Sequence, residues 1–179
     1  LRGEGLERHE ALRRETVGVA STVAYNPFYG ELSPAGLARL MVLEAVAKAV
    51  AVGADPSGLC LCDNFYTPRS SPEVNWALTE MVEALADLST RLGMPFISGK
   101  DSLNNTWQES GKIWSIPGTL LISAISVMED ARKCVSMDLK SPGNVLLLLG
   151  ETSNEFGGSH FNEVLNLSGG KVPEVNASR

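Results

Sequence analysis

The sequence predicts a mixed α+β or α/β domain over residues 1–138, followed over 139–179 by the opening strand and helix of a second α/β domain. Three observations carry this. Short runs rich in Val, Ala, Leu, Ile and Cys alternate with two long segments of helical periodicity. Each long segment has a proline at its start and a glycine at its end. Polar, turn-forming stretches follow the strand-like runs, an order expected of interleaved strands and helices.

Residues 1–15 are charged and read as a solvated or helical lead-in. Val17–Ala24 reads as a strand. The stretch Asn26–Pro34 is broken by two prolines and a glycine and reads as a loop. Ser33 and Pro34 then make an N-cap and first turn for a helix reaching about Val52. Its apolar positions are Leu37, Leu40, Met41, Ala45 and Val46, and Gly53 ends it. Gly58–Cys62 reads as the next strand and Asp63–Ser71 as a loop. Pro72–Leu92 is a long amphipathic helix closed by Gly93. Pro95–Ser98 reads as a short strand entering a polar loop, Gly99–Asn105. Trp107 and Trp114 flank a hairpin turned at Glu109-Ser-Gly111, and Leu120–Met128 reads as a strand. An edge strand is expected near Cys134–Met137. Ser141-Pro-Gly143 marks the domain boundary, and the apolar run Asn144–Leu149 reads as the strand that follows it.

Composition narrows the partners. Hydrophobic residues are 44% and charged residues 20%, an ordinary balance for a chain with a core. The net charge of −6 disfavours a sequence-independent grip on nucleic acid. No apolar stretch approaches the ~20 residues of a membrane span, and the charged N-terminus lacks a signal-peptide core. Three cysteines, an odd number, do not suggest a disulfide framework. Cys60 and Cys62 alternate onto one side of a strand and read as buried thiols, since zinc would need another spacing and two more ligands. A reducing cytoplasm fits that usage. Both ends of the chain read as cuts.

Three polar stretches follow predicted strands, where α/β folds often place function: Asp63-Asn64, Gly99-Lys100-Asp101-Ser102 and Asn154–His160. In the second, a glycine admits a phosphate to backbone N–H groups. Lys100 adds charge, Asp101 suits magnesium and Ser102 can donate to an oxyanion. Taken alone, the tetrapeptide is more commonly a plain surface turn, and it lacks Walker A spacing. Gly157-Gly158-Ser159 suits either an anion at a helix start or a flexible turn with a serine cap. Glu44 is either a metal ligand or, with Lys48 one turn on, half of an i,i+4 ion pair, and the residues alone favour the pair. His9 and His160 read as surface histidines. No nucleophilic triad stands out, so no catalytic residue is assigned.

Several segments together resemble the synthetase subunit of the phosphoribosylformylglycinamidine synthase family. They are Asn26-Pro-Phe-Tyr-Gly-Glu-Leu-Ser-Pro34, Glu44–Pro56, Asp63-Asn-Phe65 and Phe96-Ile-Ser-Gly-Lys-Asp-Ser-Leu-Asn-Asn105. Ile116–Ala124, Met137–Lys140 and Gly150-Glu-Thr…Gly157-Gly-Ser159 continue in the same order. The resemblance implies the second AIR-synthetase-like repeat: an N-terminal-like domain whose mixed sheet forms half of a barrel, plus the start of the C-terminal-like domain. It implies ATP and Mg2+ as cofactors and formylglycinamide ribonucleotide as substrate. It implies the subunit's first repeat and a glutaminase subunit or domain as partners. By matching position Asp63 and Gly99 would contact ATP, Ser102 the ribonucleotide, and Glu44 the metal of an auxiliary nucleotide site. Lys100 falls at a magnesium position where many relatives have Asn and others share this Gly-Lys-Asp-Ser form, so metal duty would pass to Asp101 or elsewhere. Lys48 replaces an Asn beside Glu44, and Phe28 replaces an Arg. With the counterpart domain absent, strands at Val17–Ala24, Gly58–Cys62 or Leu120–Met128 would leave an open edge and favour self-association as a two-fold homodimer. Two other readings compete: a structural half-barrel with a vestigial nucleotide site, and a related enzyme of the same fold.

Overall fold

The computed structural model describes residues 16–175. Its centre is a four-stranded sheet in the order β1-β6-β2-β3, built from β1 (Gly18–Tyr25), β2 (Cys60–Tyr66), β3 (Phe96–Ser102) and β6 (Thr119–Met128). β6 pairs antiparallel with β1 and β2, whereas β2 and β3 are parallel. A parallel neighbour needs a crossover. The helix α3 (Pro72–Leu92) supplies it.

Two helices cover one face of the sheet. In α2 (Pro34–Ala51) the Ser33 hydroxyl accepts from the Gly36 N–H at 3.1 Å, and Pro34 occupies the first turn. Leu37, Ala38, Met41, Val42, Ala45 and Ala49 recur at helical spacing and are buried. In α3 Ser71 caps the start, and Gly93 closes the end at φ 66°, a left-handed conformation that glycine adopts without a Cβ clash. Met81, Ala84, Leu85 and Leu88 of α3 meet α2 and the sheet residues Leu61, Phe65, Leu120, Ile122 and Ala124 in one core.

The opposite sheet face is open. Val19, Val23, Tyr25 and Val127 stand on it, each more than half exposed. Cys60 and Cys62 share that face, as the alternation predicts, but they are half-buried rather than buried because no layer covers them.

Several expectations are corrected. The stretch after Asn26 is a short helix, α1 (Pro27–Leu32), started by Asn26, whose side chain accepts from the Phe28 N–H at 3.0 Å. β2 and β3 both run further than their apolar cores, to Tyr66 and Ser102, because each lies in a ladder with its neighbour. Residues 134–137 form no strand; a 3-10 turn, Ala131–Lys133, precedes them. Nor is Asn144–Leu149 a strand. Val145 to Leu149 are between 77% and 90% exposed, since no described strand lies beside them to complete a ladder. The hairpin appears as expected, with β4 (Thr106–Glu109) and β5 (Lys112–Ser115) pairing Trp107 with Trp114 at 4.6 Å between ring centroids. Ser110 and Gly111 both take positive φ, the backbone of a tight two-residue turn. No helix among the described residues is long and apolar enough to cross a membrane. The lead-in at residues 1–15 lies outside the described residues.

Candidate functional site

The candidate site lies at the C-terminal ends of the parallel pair β2 and β3. Register places Asp63 beside Gly99, Asn64 beside Lys100, Phe65 beside Asp101 and Tyr66 beside Ser102. Side chains alternate along a strand, so the tetrapeptide expected to act as one loop is divided between two faces. Asp63, Gly99 and Asp101 belong to the helix-covered face, which also carries buried Leu61 and Phe65. Lys100 and Ser102 belong to the open face with Asn64 and Tyr66.

Gly99 leaves the space above its Cα to a neighbouring side chain. A Cβ there would lie 2.3 Å from Asp63 Oδ1, so the Asp63 carboxylate rests directly over the glycine. Burial pushes the Asp63 carboxyl above the usual carboxylate range, and the charge of Asp101 pushes it the same way. The Lys100 N–H partly offsets both by donating to it. Two neighbouring carboxylates on one face are hard oxygen donors, a chemistry suited to a divalent cation. On the other face Lys100 Nζ donates to Ser102 Oγ at 2.9 Å. Lys100 is therefore turned away from the carboxylates, and its ammonium supplies charge rather than ligation.

Asn105, which the sequence reading left without a role, ties these ends together. Its side-chain amide donates to the Ser102 carbonyl at 2.6 Å and to the Thr67 carbonyl at 3.1 Å, bridging the exits of β3 and β2. Its signal in the sequence was only the Asn-Asn doublet after Ser102. Asn64 also went unassigned. Its amide nitrogen donates to the Tyr66 hydroxyl at 2.6 Å.

The other sequence-predicted residues are not brought to this place. Glu44 is ion-paired to Lys48, whose ammonium also donates to the Val23 carbonyl at 3.0 Å. A tethered cation thus sits on the Glu44 carboxylate, the i,i+4 pair that the residues alone favour. No group of three or more His, Cys, Asp or Glu among the described residues is arranged to hold a metal. Gly158 packs against α1, whereas Gly157 packs against Gly170 and Lys171. A Cβ on Gly157 would lie 2.5 Å from the Gly170 carbonyl oxygen, and one on Gly158 2.6 Å from the Tyr29 ring. Asn26 donates to the Gly158 carbonyl at 3.1 Å. Ser159 donates to the Phe156 carbonyl at 2.6 Å and caps α4 (His160–Val164). These contacts are packing contacts. His160 opens α4 and is exposed; His9 lies outside the described residues.

Residues 8–119 match the family model "AIR synthase related protein, N-terminal domain". The chain is 34% identical over 173 residues to the phosphoribosylformylglycinamidine synthase subunit PurL of Methanothrix thermoacetophila, covering 92% of this chain and 22% of that one. The Streptomyces avermitilis protein of the same name is 33% identical over 164 residues, covering 91% and 21%. Among solved structures, PurLQS from Thermotoga maritima aligns with a TM-score of 0.55 and 28% identity, over 70% of this chain and 20% of that one. T. maritima PurL complexed with ATP aligns at 0.53 and 28%, over 68% and 20%. The same protein complexed with FGAR aligns at 0.54 and 27%, over 69% and 19%. The chain thus spans about a fifth of the length of the relatives it matches.

Proposed function

The chain belongs to the family of AIR synthase related proteins and carries its N-terminal domain, and from that premise we propose that it forms one wall of the ATP and substrate cleft of a phosphoribosylformylglycinamidine synthase. The parent enzyme is a ligase of purine biosynthesis. ATP activates the amide oxygen of formylglycinamide ribonucleotide by turning it into a phosphate leaving group. Ammonia drawn from glutamine by a glutaminase subunit or domain then displaces phosphate to give the amidine. The observation that carries this reading is the Asp63 carboxylate resting on Gly99 at the ends of two parallel strands. Solved T. maritima relatives complexed with ATP, ADP and AMPPCP support a nucleotide, and one complexed with FGAR supports the ribonucleotide.

In this reading Asp63 and Gly99 contact ATP and Ser102 contacts the ribonucleotide. Asp63 and Asp101 are the residues that would hold magnesium. The donor chemistry fits: two adjacent carboxylates that repel one another are relieved by a divalent cation. When bound, magnesium neutralises charge on the transferring phosphoryl group. Gly99 makes room for the Asp63 carboxylate that orients the nucleotide, and Lys100 on the other face attracts anionic groups. Residues 1–138 form the N-terminal-like domain and 139–179 begin the C-terminal-like one, a division supported by the unpaired run Val145–Leu149. The open apolar sheet face favours a second role beside the first, closure of a barrel with the subunit's first repeat. In its absence the face pairs with another copy of the chain. The setting is cytoplasmic.

Calorimetric titration with Mg·ATP tests the reading. The chain alone supplies one wall, so weak binding without phosphate release is expected, and Gly99→Ala abolishes it by displacing Asp63. Binding unaffected by Gly99→Ala, or ATP turnover by the chain alone, would overturn it.

A further inference from the structure

The resemblance implies a divalent ion on Glu44, and the surroundings of that carboxylate test whether one fits. Glu44 lies on α2, and its carboxylate is paired with the Lys48 ammonium one turn further along. The same ammonium donates to the Val23 carbonyl of β1 at 3.0 Å. An ordinary i,i+4 pair joins two residues of one helix. Here a helix and a strand both present an oxygen to one nitrogen. Beside them the Thr22 hydroxyl donates to the Ala45 carbonyl at 2.8 Å, which ties β1 to the same stretch of α2.

A carboxylate and a backbone carbonyl are hard oxygen donors, the kind that divalent magnesium, manganese or calcium takes. An ammonium is a compact charge that can donate to the same oxygens. Both oxygens are met by Lys48. A divalent ion entering beside it would face a positive charge at short range. It would also lack protein ligands, since magnesium takes about six oxygens in a near-octahedral shell. Among the described residues Glu44 belongs to no group of three or more His, Cys, Asp or Glu placed to share a metal.

Burial does not keep an ion away from this corner. The Lys48 and Glu44 side chains are 49% and 44% exposed, so solvent reaches both. Exposed pairs contribute little to stability, so the fold does not depend on this one. What excludes a second cation is the charge already there.

We propose that Lys48 is a built-in counter-cation: its ammonium stands where a divalent ion would, and the chain binds no metal through Glu44. The inference goes beyond the cleft of Asp63 and Gly99 and does not depend on it.

Calorimetric titration of the full chain with Mn2+ tests this. Glu44→Gln should leave Mn2+ binding by the otherwise unaltered chain as it is. Lys48→Asn removes the charge and offers an oxygen, and it should add one Mn2+ per chain. Glu44→Gln combined with Lys48→Asn should take the added ion away again. Lys48→Arg keeps the charge and should add none. Melting temperature gives an independent reading. Mn2+ should raise it more in Lys48→Asn than in the double variant, because an ion bound only by the folded chain stabilises it. Three results would overturn the inference. One is Mn2+ binding by the unaltered chain that Glu44→Gln abolishes. Another is an added ion in Lys48→Arg. The third is no added ion in Lys48→Asn, which would leave Lys48 and Glu44 a plain surface pair. An ion held by Asp63 and Asp101 survives Glu44→Gln, so its presence or absence bears only on the proposed cleft.

Discussion

Ser102 and Lys100 show how one residue's consequence depends on its face. Because the strand alternates, the Ser102 hydroxyl shares a surface with Lys100 and not with Asp63. Its removal should therefore disturb the ribonucleotide and spare ATP. Ser102→Ala in the parent synthetase is expected to raise KM for formylglycinamide ribonucleotide more than KM for ATP, by a hydrogen bond to a charged group of ~1.5–3 kcal/mol. Equal effects on both substrates would remove Ser102 from the ribonucleotide side. Tyr29 supports a second residue-scale expectation. Burial raises its phenol above the ordinary tyrosine range, and the charge of Glu44 adds to this. The folded chain then holds that proton to higher pH than the unfolded chain does. Its contribution is present below about pH 10, and is lost as pH rises through the folded value. Tyr29→Phe should flatten the alkaline fall in stability followed by urea unfolding, and an unchanged slope would contradict the assignment.

At the scale of elements, the two long helices were legible because their boundaries are chemical. Ser33-Pro34 and Ser71-Pro72 satisfy first-turn N–H groups, and Gly93 takes the left-handed closing position. The ends of β2 and β3 were not legible. Asp63, Asn64, Lys100 and Asp101 are poor strand formers and look like loop residues, yet the parallel ladder carries them. The opposite error, at Asn144–Leu149, has the same cause. Five apolar residues suit a strand, but a strand needs a neighbour that no local pattern reveals. The candidate residues could thus be named from the sequence while their geometry could not, since the division of Gly99–Ser102 between two faces exists only once the ladder forms. β6 is the element on which that ladder depends, as it pairs with both β1 and β2. Ile122, fully buried and opposite Asp63, lies at its centre. Ile122→Ala should cost about 2–5 kcal/mol in denaturant unfolding, and a loss below ~1 kcal/mol would mean the core closes over the gap.

For the molecule as a whole, the decisive feature is that the described residues cover the sheet on one face only. Of the three strands expected to offer an open edge, only β1 does; β2 and β6 are paired on both sides, and β3 forms the other edge. The exposed surface is therefore chiefly a face, carrying Val19, Val23, Tyr25, Ile125 and Val127. A contiguous apolar patch of this kind is uncommon on a monomer and usually marks an interface. The face belongs to a twisted sheet whose counterpart in the parent subunit is expected to share its fold, so a second copy offers the nearest substitute. A two-fold arrangement would bring each β1 edge and each open face against its equivalent, with more than ~1,000 Å² buried in total. Light scattering at micromolar concentration should give twice the 19.1 kDa chain mass. Val23→Lys with Val127→Lys, both at exposed positions, should return the monomer without loss of helix. A monomer in the unaltered chain would overturn the idea, and a dimer that survives both lysines would place the contact elsewhere.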